Sequence, residues 1–184
     1  MFIHERERQV PVYGEYDVAV VGGGIAGIAA ALAAARKGAK TILLEKMFLL
    51  GGLATSGLVT IYLPLCDGRG QQVSFGIAEE LLRLSAKHGC EVGCPAWLEG
   101  GTEEEKKKKR FEVRFNANLF AILCEQLLLE NGVDILYGTG VCGCVTEGEK
   151  IRAVFIENKS GRQAVLSKSF VDASGDADLC FAAG

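Results

Sequence analysis

Apolar and polar positions change period three times within residues 16 to 45, YDVAVVGGGIAGIAAALAAARKGAKTILLE. Tyr16 to Val21 is a short run of β-forming residues, and Thr41 to Leu44 is a second. Both are nearly unbroken apolar runs, which predicts parallel strands buried on two faces. Between them, three glycines lead into an alanine-rich stretch read as a helix, and Gly38 closes it. Further along, SFGIAEELLRLSAKH, residues 74 to 88, places Ile77, Leu81, Leu82 and Leu84 on one helical face, with Ser74 as N-cap and Gly89 as stop. In NANLFAILCEQLLLE, residues 116 to 130, Leu119, Phe120, Leu123, Leu127 and Leu128 are spaced for burial, and Asn131 and Gly132 end the helix. Val133 to Tyr137 then reads as a third strand, reached by crossover and laid beside the second. Residues 46 to 132 therefore form an insertion between the second and third parallel strands. The runs VCGCVTEG, KIRAVFIENKSG and RQAVLSKSFVDAS, parted by turn-forming E-G-E-K and N-K-S-G, predict a β-meander. Phe170 to Ala173 returns as a parallel strand, and Ser174-Gly175-Asp176 turns at its end.

The chemistry concentrates at the first turn, where Gly22, Gly24 and Gly27 stand at the spacing G-x-G-x-x-G. Gly22 permits the tight turn, Gly24 lets a pyrophosphate approach the backbone, and Gly27 lets the helix pack close to the sheet. Gly23, Ile25 and Ala26 are expected to act through backbone, because the free N–H groups of a helix start and its positive dipole end attract phosphate. Glu45 follows Gly27 by 18 residues, close to the roughly 20-residue spacing at which an acid reaches a ribose hydroxyl. A carboxylate there repels a 2′-phosphate, so NADP is disfavoured. Lys46 is expected near the nucleotide sugar or a phosphate. Just beyond, Gly51, Gly52 and Gly57 with Thr55 and Ser56 make a glycine-rich loop at the strand ends, where ligands of open α/β sheets bind.

Composition narrows the partners. Apolar residues are 49% of the 184, charged residues 23%, and the net charge is -3, an ordinary globular balance that gives no reason to expect nucleic acid. Lys106 to Arg110 is a basic run, but Glu103 to Glu105 precede Lys107 to Lys109 by four residues, the favourable order on a solvated helix, so the segment reads as an exposed insertion. Val18 to Ala35 carries no charge over 18 residues. Its glycines, its alanine content and the immediate return to a strand nevertheless favour an α/β core over a membrane span. The first 15 residues read as a polar arm packing through Val10, Val12 and Tyr13, without the apolar core of a signal peptide. A cytoplasmic location is expected. Seven scattered cysteines, among them Cys142 and Cys144 on one strand face and Cys90 and Cys94 about a turn, show no C-x-x-C and read as reduced thiols. His4 and His88 read as surface residues, and no metal site is expected.

The first βαβ unit followed by E-K-M-F-L-L-G-G-L-A-T-S-G, together with V-D-A-S-G-D near the end, resembles the FAD-dependent oxidoreductases of the glutathione-reductase-like FAD/NAD(P)-binding superfamily. The resemblance implies an α/β fold: a Rossmann-like parallel sheet, an inserted helical segment and a three-stranded antiparallel β-meander, with FAD as cofactor. It assigns Glu45 to the AMP ribose and Gly51, Gly52, Ala54 and Thr55 to the pyrophosphate and ribityl region, with Ser56 facing the flavin side. Backbone groups at Val141 would meet the adenine, although a strand residue with no ligand role reads equally well there. Ser174, Gly175 and Asp176 match the family's A-T-G-D motif with serine for threonine, and Asp176 reads either as a cofactor contact or as a helix cap.

The function implied is hydride transfer between a small-molecule substrate and the flavin. An NAD-binding dehydrogenase and a non-catalytic nucleotide-binding module remain alternatives. No residue is marked as catalytic. The family resemblance further implies a substrate-binding segment beyond the S-G-D turn. On that basis the 184 residues are expected to be a fragment that binds the ADP part of FAD and does not turn over alone. Incompletely covered apolar faces near Leu179 to Ala183 would then favour a homo-oligomer.

Overall fold

Alternation along the first two strands divides the core in two. The computed structural model describes residues 3, 7–88 and 93–184, so His4, Gly89 and Cys90 lie outside it. A six-stranded sheet is built from β1 (Val12–Val21), β2 (Thr41–Leu44), β5 (Asp134–Leu136), β6 (Gly140–Glu147), β7 (Lys150–Asn158) and β8 (Gly161–Asp172), in the order β5-β2-β1-β8-β7-β6. The pairs β1–β2, β2–β5 and β1–β8 are parallel, while β7 is antiparallel to both β8 and β6. Val20 and Leu43 point to the face covered by α1 (Ile25–Arg36) and α5 (Ala117–Glu130). Ala19, Val21, Ile42 and Leu44 point to the other face and pack with Val154, Ile156 and Val165 of the meander and with Leu179. Burial on both sides explains the unbroken apolar runs of these strands.

The meander shares a strand with the parallel sheet. Residues 161–166 of β8 pair with β7, while Ala164 to Asp172 pair with β1, so one long strand ends the meander and returns to the parallel sheet. At its start β1 is longer than expected: Val12 pairs with Ala164, so Val12 and Tyr13 belong to the sheet and not to a loose arm. Cys142 and Cys144 are separated by an irregularity between Val141 and Gly143. Cys142 is exposed, whereas Cys144 packs against the meander-side core.

Among its described residues, the segment between β2 and β5 carries elements of its own. It holds a turn of 3₁₀ helix (Gly52–Ala54), β3 (Ile61–Tyr62) paired antiparallel with β4 (Val113–Arg114), α2 (Ile77–Ala86), α3 (Pro95–Leu98) and α4 (Glu103–Lys108). Ser74 does not cap α2, which starts after Gly76 at φ 67° with no side-chain cap. Leu81 and Leu82 are its buried face. The charged helix α4 is exposed and closed by a Thr102–Glu105 capping box, and its ion pair is Lys107–Glu104 at 3.0 Å, at i,i+3 and not i,i+4.

The flanks of α4 are core. Trp97 stacks on Phe111 with centroids 5.1 Å apart, and Phe111, Val113 and Phe115 are buried with Leu82 and Phe120. Aromatic pairing of this kind holds the insertion against the helix side of the sheet. Asn116 caps α5 by accepting the Leu119 N–H at 3.0 Å, and the α5 crossover delivers β5 beside β2 as expected. Among the described residues no helix is long and apolar enough to cross a membrane.

Candidate functional site

The carboxyl ends of the parallel strands open into a groove of about 500 Å³. Of the residues expected there, Gly22, Gly24, Ile25, Ala26, Glu45, Lys46, Gly51, Gly52, Ser56, Val141, Ser174 and Gly175 line it. Gly23, Gly27, Ala54, Thr55 and Asp176 do not.

The glycines separate into two kinds by what a side chain would meet. At Gly22, with φ 102°, a Cβ would overlap the Ala173 carbonyl, and at Gly27 it would overlap the Gly22 carbonyl. Both are packing glycines that let the turn, β8 and α1 touch. Gly23 is also of this kind, since its Cβ would fall 2.9 Å from Glu45 Oε2 and 2.7 Å from Leu50. At Gly24 and Gly175, by contrast, a Cβ would meet nothing within 4 Å. Both line the groove, so the open space they leave is the groove itself. That is the arrangement a diphosphate needs in order to approach the backbone.

Helix α1 begins at this point. Gly24 is its N-cap with no side-chain cap hydrogen bond, and no acidic residue stands in its first turn. The first-turn N–H groups at Ile25 and Ala26 are thus presented to the groove with the helix dipole behind them. The second glycine loop is fastened onto the first: Gly51 N–H donates to the Gly23 carbonyl at 2.8 Å, and a Cβ on Gly52 would lie 3.1 Å from Gly24 Cα. Thr55 faces inward, 2% exposed, and its hydroxyl donates to the Leu50 carbonyl at 2.5 Å. Its part is to hold the loop rather than to line the groove, and Ala54 packs against the core beside it.

Glu45 is 6% exposed. Its Oε2 accepts the Gly23 N–H at 2.6 Å and its Oε1 the Met47 N–H at 2.7 Å. These bonds fix the carboxyl group in the wall of the groove, and each oxygen keeps a further lone pair for a ligand hydroxyl.

On the opposite rim the S-G-D turn is organised by Asp172. Its Oδ1 accepts the Ser174 hydroxyl at 2.6 Å and the Ser174 N–H at 3.1 Å, and its Oδ2 accepts the Cys180 N–H at 2.9 Å. Partial burial pushes this carboxyl up, but hydrogen bonds from Ser174 and Cys180 outweigh burial and hold it at about 2. The short helix α6 (Asp178–Ala183) starts after Ala177 at φ 60°, and the Ser174 hydroxyl, not Asp176, accepts the Asp178 N–H, at 2.8 Å. Asp176 is exposed. Leu179, expected at an uncovered face, is 1% exposed, whereas Phe181 is 89% exposed.

Sequence reasoning missed Met47, Leu53, Thr139, Gly140, Ala173 and Asp178 as lining residues, and Asp172 as the organiser of the rim. The available signals were the glycines on either side of Thr139, directly after the third strand, and an acid two residues before Ser174.

Comparison with known proteins agrees with this geometry. A family model described as FAD dependent oxidoreductase matches residues 17–184. A thioredoxin reductase of Ureaplasma parvum is 36% identical over 70 residues, which is 38% of this chain and 23% of that protein. Among solved structures, THI4 of Thermovibrio ammonificans superposes with a TM-score of 0.59 at 18% identity, over 91% of this chain and 61% of that one. A geranylgeranyl bacteriochlorophyll reductase-like protein of Thermoplasma acidophilum gives 0.58 at 21% identity, over 93% and 42%. The chain spans less than two thirds of each of these proteins.

Proposed function

The chain belongs to the FAD-dependent oxidoreductase family, whose cofactor is FAD, and from that premise we propose that its groove holds the ADP half of FAD for hydride transfer to or from a small-molecule substrate. The observation that carries this reading is the pair Gly24 and Glu45: open space where a Cβ would stand, beside a helix start without a side-chain cap, and a buried carboxylate one strand away. The residues fit the cofactor. First-turn N–H groups at Ile25 and Ala26 would hold the pyrophosphate, Glu45 the ribose hydroxyls, and Gly175 would allow the chain toward the flavin to pass close to the backbone. Bound FAD supplies a flavin ring that accepts or donates hydride. The protein's share is orientation: a groove whose two glycine loops are tied together, with a rim fixed by Asp172.

We read residues 1–184 as one FAD-binding unit, with 46–132 inserted between its second and third parallel strands. Thiols at Cys66, Cys124, Cys142, Cys144 and Cys180 support a reducing compartment such as the cytoplasm. Exposed Phe181 supports self-association, which sedimentation velocity would detect.

The test is equilibrium titration of the purified chain with FAD, followed by flavin fluorescence, with ADP and riboflavin as competitors. Saturable binding displaced by ADP and not by riboflavin is expected. Displacement by riboflavin alone, or no saturable binding, overturns the reading.

A further inference from the structure

The two glycine loops of the groove meet along their backbones. Gly24 and Gly51 form a parallel bridge, and a Cβ on Gly52 would lie 3.1 Å from Gly24 Cα. Gly24, Gly51 and Gly52 all line the groove. The space open to a diphosphate is therefore bounded by main chain from both loops, and its width depends on how closely the second loop is pressed to the first.

The first loop is built in between β1 and α1, whereas the second has only one turn of 3₁₀ helix to shape it. Thr55 supplies the rest of its support. The residue is buried, and its Cγ2 methyl lies so close to Gly51 that a Cβ there would overlap it. Its hydroxyl donates to the Leu50 carbonyl at 2.5 Å, and its N–H donates to the Gly52 carbonyl at 3.1 Å. The Leu50 carbonyl and the Gly51 N–H belong to one planar peptide unit, so fixing either fixes both. That unit is pinned at its two ends: its oxygen by Thr55, and its N–H by the Gly23 carbonyl of the first loop at 2.8 Å. The Leu50 side chain packs against Gly23 as well.

We propose that Thr55 is a positioning residue for the diphosphate: without touching the ligand, it holds the Leu50–Gly51 peptide plane, and with it Gly51 and Gly52, at the spacing from Gly24 that the phosphates require. This rests on the nucleotide reading of the groove. The methyl and the hydroxyl have separate parts. The methyl fills the space left by the missing side chain of Gly51, and the hydroxyl stops the peptide plane from rotating away from the Gly23 carbonyl.

Two substitutions separate those parts. Thr55→Val keeps the branched shape and removes the hydroxyl, leaving a buried carbonyl unmet, whereas Thr55→Ser keeps the hydroxyl. Calorimetry measures ADP and adenosine affinity for both variants and for wild type, below the unfolding temperature recorded for each. Thr55→Val is expected to weaken ADP about tenfold and adenosine less than about twofold, because the loss falls on the phosphates. Thr55→Ser is expected to hold ADP within about threefold of wild type. A role confined to stability would lower the unfolding temperature and leave the ratio of the two affinities unchanged. A measurement on wild type needs no variant: without ligand, exchange of the Gly51 amide hydrogen is expected to be slowed about a hundredfold or more relative to an unstructured peptide.

If ADP binds wild type but Thr55→Val keeps that affinity, or loses ADP and adenosine by the same factor, the proposal about Thr55 is wrong and the nucleotide reading stands. The same holds if Thr55→Ser is as weak as Thr55→Val, or if the Gly51 amide exchanges freely until ADP is added, since the ligand and not Thr55 would then set the loop. The exchange measurement decides the matter if Thr55→Val does not fold. If calorimetry shows no ADP binding to wild type, the nucleotide reading fails and this proposal fails with it.

Discussion

Gly23 donates its N–H to Glu45 Oε2 at 2.6 Å, so the glycine turn after the first strand is latched to the acid after the second before any ligand arrives. The acid thus has a structural role beside the ribose role expected of it. Glu45→Ala removes the acceptor of the buried Gly23 N–H and of the part-buried Met47 N–H. Leaving such groups unmet costs about 1 to 3 kcal/mol each, so the variant is expected to lose about 2 to 4 kcal/mol of stability without ligand. Urea unfolding of the nucleotide-free protein measures this. Stability equal to wild type would confine Glu45 to ligand binding.

Toward the nucleotide, the same substitution should weaken ADP binding by about 1 to 3 kcal/mol, the scale of a charge-assisted hydrogen bond. Titration of Glu45→Ala against wild type, at a temperature where both are folded, checks this. An unchanged Kd means that the carboxylate does not hold the ribose.

The glycines allow binding and folding to be separated. Gly24 has φ -69° and ψ -178°, which valine adopts without strain, and its Cβ direction is open. Gly24→Val is therefore expected to unfold within about 1 kcal/mol of wild type while losing nucleotide binding. Gly27→Ala should do the reverse of the first part, since its Cβ would overlap the Gly22 carbonyl. A loss of 2 kcal/mol or more is expected there, about the scale of an overpacked contact. Thermal unfolding and ADP titration of the two variants decide the matter, and normal ADP affinity in Gly24→Val would sink the site assignment.

What was legible in the sequence follows from how local the information is. The unit from Tyr16 to Glu45 carries its strand periods, its glycine spacing and its acid within 30 consecutive residues, and the structure assembles it as strand, turn, helix and strand, although β1 starts at Val12 and the Gly23 N–H goes to Glu45. The packing on either side of α4 was not legible because it is non-local. Phe111 owes its burial to Trp97 and to α2 and α5, none of which is visible in the charge run beside it. Thr139 and Met47 reach the groove only because β5 lies next to β2, a pairing between residues more than 90 positions apart. Asp172 was overlooked for a different reason: the S-G-D turn drew attention to Asp176, yet an acid that gathers three donors is identified by geometry and not by motif.

The Trp97–Phe111 stack gives a test of the insertion's anchoring. Phe111 is fully buried, with Arg83 Cζ 5.8 Å from its ring centroid and Lys106 Nζ 5.4 Å from that of Trp97. Phe111→Ala is expected to cost about 3 to 5 kcal/mol. Trp97 is the sole tryptophan, so its emission should shift to the red in the folded variant as its stacked face is uncovered. An unshifted spectrum with native stability would mean that the insertion is held by other contacts.

Asp172 ties the rim of the groove to pH. Partial burial opposes its charge, but the Ser174 hydroxyl, the Cys180 N–H and the Ser174 N–H together lower its folded value from 3.8 to about 2. A carboxyl depressed on folding stabilises the native state above its unfolded value and loses that contribution as pH falls through the folded value. The stabilisation is therefore fully present above about pH 4 to 5 and disappears toward pH 2. Asp172→Asn keeps the shape but replaces a charged acceptor of three donors with an amide of one acceptor oxygen. It is expected to be less stable than wild type by about 1 to 3 kcal/mol at pH 7, with the gap closing as pH is lowered from 4 toward 2. Urea unfolding of both proteins across pH 3 to 7 measures the gap. A difference that stays constant down to the lowest pH would show that the S-G-D rim does not depend on the charge of Asp172.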